Sequence, residues 1–209
     1  MPDSYFPPSR YSQIHPDLEP LLASLPEPPE GHVSPDQAAY LFHFVRLLRP
    51  ALVAETGFCV GHSACIIMLA QESAGLAPRM LSIDICRYEE TKRSADIVKT
   101  RFPGLKFVEG DTRQVLASNL RRFLRRNGEL PLDLAIVDGG HDAETALSDL
   151  EIFFACLRPG GYLWLDDFEK PLPNAGVNLA GHTFARRWGN CHRLVTRDGR
   201  GFMLHQKGF

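Results

Sequence analysis

From Leu52 onwards, short apolar runs alternate with longer amphipathic stretches, and this alternation limits the possible folds more than any other feature of the chain. The apolar runs lie at 52–55, 80–85, 106–108, 132–137 and 161–165. The amphipathic stretches between them lie at 62–72, 88–101, 112–126 and 143–156. Strands that read as continuous apolar runs are buried on both faces, which requires helices on both sides of a parallel sheet. The alternation therefore predicts a doubly wound α/β domain.

The two ends of the chain depart from this pattern. Residues 1–31 hold eight of the sixteen prolines and predict an extended arm with a short helix near 18–25. Ser34 as N-cap, Pro35 in the first turn and Gln37 closing a capping box predict the start of a helix that Pro50 ends. Near the carboxyl terminus, two β-rich runs flank Asp198-Gly199, which is a hairpin signal. We therefore expect one domain over 32–209 whose sheet ends in an antiparallel pair, preceded by the proline-rich arm.

Composition narrows the kind of partner. A net charge of −2 gives no overall attraction to nucleic acid or to an anionic membrane, so the expected ligand is a small molecule. No run of eighteen apolar residues is present, and the amino terminus has no targeting pattern. The five cysteines are an odd number without paired spacing, which is typical of a reducing compartment. These features predict a cytoplasmic protein; the arm and the exposed edge of the hairpin make a homodimer plausible.

Each predicted parallel strand ends at a carboxylate or within three residues of one. These carboxylates are Glu55, Asp84, Asp111, Asp138 and the pair Asp166-Asp167. Ligands of open α/β sheets bind beyond the carboxyl ends of the strands. Polar residues are common there because loops are solvated, but five acidic strand ends together predict a functional cleft.

The stretch ETGFCVGHS after the first strand narrows the ligand further. Gly57 and Gly61 allow positive φ and close approach of the backbone to a ligand, and Ser63 lies at a helix start whose free N–H groups are expected to point into the site. The spacing is neither the dinucleotide pattern G-x-G-x-x-G nor the phosphate loop, and no lysine follows. Glu55 would repel an anion and attract a cationic group. S-adenosylmethionine, a zwitterion with a sulfonium, meets these conditions.

The longer segment ETGFCVGHSACIIMLA resembles the first motif of class I S-adenosylmethionine-dependent methyltransferases, especially the small O-methyltransferases of the catechol and caffeoyl-coenzyme A type and their bacterial relatives. The resemblance runs from about residue 32 to the carboxyl terminus. It implies a Rossmann-like seven-stranded sheet with helices on both faces and an antiparallel carboxyl-terminal hairpin. The resemblance also implies the contacts of the cofactor. Its methionine portion would be lined by Glu55, Gly57, Gly61 and Ser63, and Val33 and Ser34 would lie over the cofactor. Asp84 would bind the ribose hydroxyls, and Asp111 would contact adenine. For Asp111 an alternative is a capping box with Gln114.

The segment from Leu134 to Phe168 resembles the family's metal region, in which one aspartate follows the fourth strand and an acidic pair follows the fifth. It implies a divalent cation, expected to be Mg²⁺, held by Asp138, Asp166 and Asp167 beside the cofactor. Three converging carboxylates favour a hard cation, although a hydrogen-bonded loop with one ionised aspartate is the alternative. His141 departs from the family pattern. It is a candidate general base, a fourth ligand that would favour a softer metal, or a helix-start residue without a task.

The sequence as a whole favours a methyltransferase that acts on a hydroxyl of a small molecule, with Asp138 and His141 as its catalytic residues. Two alternatives remain at this point. One is a protein that keeps the cofactor pocket for other chemistry or for binding, since a fold does not determine a function. The other is a nucleotide-dependent oxidoreductase, which the missing G-x-G-x-x-G disfavours.

Overall fold

The computed structural model of the chain, in which residues 10–27, 33–169 and 175–208 are described, has a seven-stranded sheet as its centre. The strands are β1 (Val53–Thr56), β2 (Met80–Asp84), β3 (Leu105–Glu109), β4 (Leu132–Val137), β5 (Leu157–Leu165), β6 (Cys191–Val195) and β7 (Gly201–Gln206). Their spatial order is β3-β2-β1-β4-β5-β7-β6. The first five strands are parallel, and β7 runs antiparallel to both of its neighbours. The predicted seven-stranded, doubly wound sheet with a carboxyl-terminal hairpin is confirmed.

Helices cover both faces of this sheet, as the buried strands require. They are α1 (Tyr11–Ile14), α2 (Leu18–Ala23), α3 (Pro35–Leu48), α4 (His62–Ser73), α5 (Glu90–Arg101), α6 (Thr112–Arg126), α7 (Ala143–Cys156) and α8 (Ala175–Trp188). The hydrophobic cluster on one face includes α2 to α5, and the cluster on the other face includes α6 to α8. In α6, Leu116, Leu120 and Phe123 are buried while Arg121 and Arg125 are exposed. The solvated face of this helix therefore carries Arg121, Arg122, Arg125 and Arg126.

The described part of the proline-rich arm packs on the core. The helix expected near 18–25 is confirmed as α2, and its Leu18 and Leu22 lie in the same cluster as α3 and α4. The Tyr11 hydroxyl donates a hydrogen bond to the backbone oxygen of Val33, which ties α1 to the chain just before α3. Residues 1–9 and 28–31 of the predicted arm lie outside the described residues. None of the helices in the described ranges has the length and apolarity needed to cross a membrane.

The start of α3 shows one confirmed and one wrong prediction. Ser34 is the N-cap, and its hydroxyl accepts a hydrogen bond of 3.2 Å from the backbone amide of Gln37. Gln37 does not close a capping box, because its Oε1 accepts a hydrogen bond from Arg200 and its Nε2 donates to Asp166. A buried carboxylate without hydrogen-bond donors would be costly, and Gln37 supplies donors to Asp166. The amino terminus of α3 thereby contacts the end of β5.

The carboxyl-terminal hairpin lies over the turn that follows β5. Gly199 adopts φ +82° in the turn between β6 and β7, as the Asp198-Gly199 signal predicted. Gly201 packs on the backbone of Phe168, since a Cβ at Gly201 would lie 2.2 Å from the Phe168 carbonyl oxygen. The start of β7 is therefore at the same edge of the sheet as the carboxyl ends of the parallel strands.

Candidate active site

A cleft of about 450 Å³ runs along the carboxyl ends of the parallel strands. Its β1–β3 half is lined by residues that follow β1, β2 and β3, including Gly57, Asp84 and Asp111. Its β4–β7 half is lined by residues that follow β4 and β5, by Val33 and Gln37 at the start of α3, and by Arg200 before β7. The sheet order reverses between β1 and β4, which is where ligands of open α/β sheets bind.

Gly57 brings the loops after β1 and β4 together. Its φ is +90°, and a Cβ at this position would lie 1.9 Å from the backbone oxygen of Asp138. Its amide donates a hydrogen bond of 2.9 Å to the carbonyl of Ile83 in β2. Any larger residue would push the loop after β1 away from β4, so the fold itself requires glycine here, and the close approach to a ligand stays a prediction.

Glu55 lies behind the wall of the cleft. Its side chain is 1 % exposed, and its two carboxylate oxygens accept hydrogen bonds of 2.8 Å from Ser63 and 2.7 Å from Ser82. Burial raises the pKa of Glu55 to about 7, although the two serine hydroxyls oppose this shift. Gly61, the N-cap of α4, packs against the Phe58 ring. Among the described residues, the lining of the cleft does not include Glu55, Gly61, Ser63 or Ser34, so their contact with a cofactor stays a prediction.

Asp84 and Asp111 both line the β1–β3 half, and their carboxylates are held differently. Asp84 accepts hydrogen bonds from two backbone amides, that of Cys59 at 2.8 Å and that of Cys86 at 2.6 Å. Asp111 caps α6 through the amide of Arg113 and also pairs with its guanidinium at 2.7 Å. The hydrogen bonds from Arg113 hold the pKa of Asp111 below its ordinary value. Asp84 is thus fixed by backbone, whereas Asp111 already serves the helix and an ion pair.

The β4–β7 half gathers a group that can hold a metal ion. Asp138, His141 and Asp167 each offer one ligand atom, and these three atoms lie within 4.8 Å of one another. His141 Nε2 is 3.7 Å from a carboxylate oxygen of Asp167. Asp167 has φ +57°, a left-handed conformation in the turn after β5. Two carboxylates and an imidazole are donors that divalent cations bind.

Asp166 has a different environment from its neighbour. It is 9 % exposed, and both of its oxygens accept hydrogen bonds from Gln37 Nε2, at 2.7 and 2.9 Å. Trp164 Nε1 donates to it at 3.4 Å. The resemblance implied a metal site of Asp138, Asp166 and Asp167, whereas the structure groups His141 with Asp138 and Asp167. Both aspartates lie in the turn after β5, where the left-handed backbone of Asp167 breaks the strand alternation and the two side chains meet different partners.

Sequence patterns did not identify three residues around the cleft. Gln37 was assigned to a helix cap, and Arg200 stood in a hairpin turn with no motif around it. Asp149 lies within α7, is 0 % exposed, and has its pKa raised to about 6 by burial. An aspartate among the apolar residues of α7 was the signal available for Asp149.

Solved structures that are similar to this one share its fold at low identity. O-methyltransferase TomG from Streptomyces achromogenes, involved in tomaymycin synthesis and solved with SAM, is 20% identical, with 95% of this chain and 88% of that one covered and a TM-score of 0.64. The O-methyltransferase from Bacillus cereus, solved with SAH, is 17% identical, with coverages of 97% and 93% and a TM-score of 0.62. CalS11, a TDP-rhamnose 3'-O-methyltransferase of calicheamicin biosynthesis, is 17% identical, with coverages of 95% and 94% and a TM-score of 0.66.

The sequence itself matches a family model. No curated protein matches the chain. A model described as a methyltransferase domain matches residues 54–168, more than half of the chain. This segment runs from β1 to the turn after β5 and contains most of the residues that line the cleft. The chain therefore belongs to this methyltransferase domain family.

Proposed function

We propose that the chain transfers the methyl group of S-adenosylmethionine to a hydroxyl oxygen of a small molecule. One C–O bond forms and one C–S bond breaks, the hydroxyl proton is released, and S-adenosylhomocysteine remains. The observation that carries the proposal is the cleft of the methyltransferase domain, whose two halves offer different chemistry. The β1–β3 half presents a carboxylate held by amides, and the β4–β7 half presents the Asp138, His141 and Asp167 group.

The β1–β3 half fits the nucleoside of the cofactor. The cleft volume of about 450 Å³ is within the ordinary range for ligand sites. The Asp84 carboxylate has two amide donors and retains lone pairs for two ribose hydroxyls. Because Gly57 has no side chain, the loops after β1 and β4 lie in contact and form this part of the cleft wall. S-adenosylmethionine supplies a methyl group on a positively charged sulfur, so the protein has mainly to align the acceptor oxygen with that carbon.

Glu55 contributes charge from behind this wall. Because its pKa is about 7, a cation beside it would favour the ionised form, and binding of the sulfonium or ammonium group would release a proton from Glu55. Ser63 and Ser82 donate to the carboxylate and keep it in place when it is ionised. Glu55 therefore acts on the cofactor through the electric field of its carboxylate and through Ser63. We expect cofactor affinity to rise between pH 6 and pH 8, as Glu55 ionises.

The β4–β7 half fits activation of the acceptor. Asp138, His141 and Asp167 would hold a divalent cation, which when bound lowers the pKa of a hydroxyl beside it. The resemblance implied Mg²⁺, but an imidazole among the donors favours a softer ion such as Mn²⁺ or Zn²⁺. His141 is exposed, so without a cation its ring nitrogen would accept the acceptor proton and release it to solvent.

The experiment is an assay of the full chain with methyl-labelled S-adenosylmethionine and a panel of phenolic, sugar and aliphatic hydroxyl compounds. We expect labelled ether products and calorimetric binding of S-adenosylhomocysteine. A chelated sample, then loaded separately with Mg²⁺, Mn²⁺ or Zn²⁺, tests the cation, with metal binding by calorimetry as an independent measurement. Tighter binding of NAD than of either sulfur nucleoside would overturn the proposal, and cofactor binding without transfer to any acceptor would favour a repurposed pocket.

A further inference from the structure

We propose that Arg200 binds an anionic group of the methyl acceptor, a carboxylate or a phosphate, and so selects acceptors that carry such a group. This inference rests on the proposed function, since it names the substrate class of the same site. It depends on a cation that lines the β4–β7 half of the cleft and that belongs to the hairpin rather than to the parallel strands.

The fold places Arg200 at the far end of the cleft from the nucleoside. Along the row β3-β2-β1-β4-β5-β7, Asp111 and Asp84 follow the first two strands and Arg200 precedes the last. The backbone of Arg200 is fixed, because Thr196 bonds to it through both its amide and its hydroxyl. Its neighbour Gly201 packs directly on the backbone of Phe168. The guanidinium therefore projects from a hydrogen-bonded turn, and Gln37 connects it to Asp166.

Most donors of this guanidinium have no hydrogen-bond partner among the described residues. Arg113, the arginine at the other end of the cleft, makes two short hydrogen bonds with Asp111, at 3.1 and 2.7 Å. Arg200 makes one side-chain hydrogen bond within the described part of the chain, a long one of 3.4 Å to Gln37 Oε1. Its nearest carboxylate oxygen, on Asp198, is 3.8 Å from Nε, which is beyond hydrogen-bond distance. A guanidinium with five donors so placed can take a carboxylate or a phosphate bidentately.

Burial and charge give this contact its strength and its direction. The side chain of Arg200 is 25% exposed, against 50% for Arg113, so an ion pair with Arg200 would be less screened by water. When Asp138, His141 and Asp167 hold no cation, the two aspartates of this group and Asp166 would repel the anionic end of an acceptor from the middle of the β4–β7 half. An acceptor with its anion on Arg200 therefore turns its hydroxyl towards Asp138, His141 and Asp167.

Gln37 couples the cation to the buried aspartate. It accepts a hydrogen bond from Arg200 and donates to both oxygens of Asp166. This arrangement fixes which way the amide points and holds the guanidinium at the rim rather than against Asp166. Gln37 is thus a positioning residue for Arg200, and the ionic contact itself belongs to Arg200.

The test compares acceptors that differ only in charge. One series consists of dihydroxybenzoate, dihydroxybenzamide and dihydroxyphenyl phosphate, and a second of glucuronate, glucose and a glucose phosphate. We measure kcat and KM for the full chain, and binding of each compound to the complex with S-adenosylhomocysteine by calorimetry. We expect the anionic members to bind about ten- to hundredfold more tightly than the neutral ones, as a charged hydrogen-bonded pair would give. The preferred anion separates carboxylate from phosphate recognition.

Variants assign the effect to the residue. Arg200→Gln is expected to raise KM for the anionic acceptors by that factor, and to raise KM for the neutral acceptors much less. Arg200→Lys keeps the positive charge without the paired donors of the guanidinium, so its affinity for anionic acceptors should lie between those of Arg200→Gln and the native protein. Arg197→Gln removes a charge from an exposed position of the same turn and serves as the matched control.

The outcomes separate this inference from the proposed function. Methyl transfer to neutral and anionic acceptors with equal kcat/KM in the native protein would overturn the role of Arg200 and leave the methyltransferase intact, even if the variants do not fold. Absence of binding of every anionic probe to the cofactor complex would overturn it as well. Loss of cofactor binding or of all methyl transfer, with anions still binding through Arg200, would instead contradict the proposed function.

Discussion

The two halves of the cleft are built in different ways. In the β1–β3 half, backbone amides hold both carboxylates. The amides of Cys59 and Cys86 donate to Asp84, and the amide of Arg113 donates to Asp111. In the β4–β7 half, side chains hold one another across the fold. Gln37 and Asp166 are 129 residues apart in the chain, and Arg200 and Gln37 are 163 residues apart.

This difference separates a site fixed by local backbone from one fixed by tertiary packing. Backbone amides hold Asp84 in place whatever side chains surround it, so the β1–β3 half suits an unchanging ligand such as a cofactor. The β4–β7 half depends on side chains from α3, β4, β5 and the hairpin, each of which can change without disturbing the sheet. We therefore expect substitutions in the first half to alter cofactor affinity and those in the second to alter turnover and acceptor choice.

The largest effect is expected from His141→Ala in the β4–β7 half. Loss of a general base or of a metal ligand should lower kcat by about a hundredfold or more, while the Kd of S-adenosylhomocysteine stays within about threefold, since the residue lies away from Asp84. Steady-state kinetics and calorimetry measure the two quantities. His182→Ala is the control, because His182 is exposed and does not line the cleft within the described residues. Unchanged kcat in His141→Ala would show that the histidine only begins a helix.

A pH-dependent effect on stability is expected from Glu55. Its pKa is 4.5 ordinarily and about 7 in the folded protein, so the folded state binds the proton more tightly. Stability from this group is therefore greatest below pH 4.5, falls as the pH rises towards 7, and is level above that. Glu55→Gln should remove up to about 3 kcal/mol of this fall, seen as a gain over the native protein at pH 8 relative to pH 5.

Urea unfolding at the two pH values measures the effect. Glu72→Gln is the matched control, because the pKa of Glu72 is lowered by its hydrogen bonds with Arg101 and the substitution should bring no gain at high pH. An equal response of both variants to pH would contradict the buried state of Glu55.

A smaller effect on cofactor affinity is expected from Asp84→Ala. Removal of the amide-held carboxylate should weaken binding of S-adenosylhomocysteine by about ten- to hundredfold, with kcat at saturating cofactor little changed. Calorimetry and cofactor-dependent kinetics give the two values. Glu109→Ala is the control, since Glu109 ends the neighbouring strand β3 but pairs with Lys92 and does not line the cleft in the described ranges. A similar loss in both variants would mean that the effect is one of general charge.

The smallest effect is expected from Asp111→Asn. Asparagine still caps α6, and the ion pair with Arg113 that it removes is a surface pair of small value. We expect less than about a fivefold change in the Kd of S-adenosylhomocysteine, measured by calorimetry. A loss as large as that in Asp84→Ala would assign Asp111 to the adenine contact that the resemblance implied.

Most of the fold could be predicted from the sequence, and the reason lies in burial. β1, β2 and β4 are apolar because they are covered on both faces, and their positions differ from the prediction by a residue at most. β5 begins at Leu157 rather than at residue 161, because Arg158 to Gly160 extend the strand across a register shift against β4. A proline followed by two glycines does not predict a strand, and this segment is a strand only because it pairs with neighbouring strands of the sheet.

What the chain alone determined is the set of strand ends and the local backbone around them. Asp84 ends β2 and Gly57 follows β1 because the apolar runs end there, and these places along the chain can be seen without any tertiary contact. Tertiary structure alone decided that Asp166 bonds to Gln37, that His141 joins Asp138 and Asp167, and that Arg200 lines the cleft. These contacts depend on how α3 and the hairpin pack at the edge of the sheet. The spacing of residues along one element predicts whether that element is a helix or a strand. It does not predict which other elements its side chains will contact.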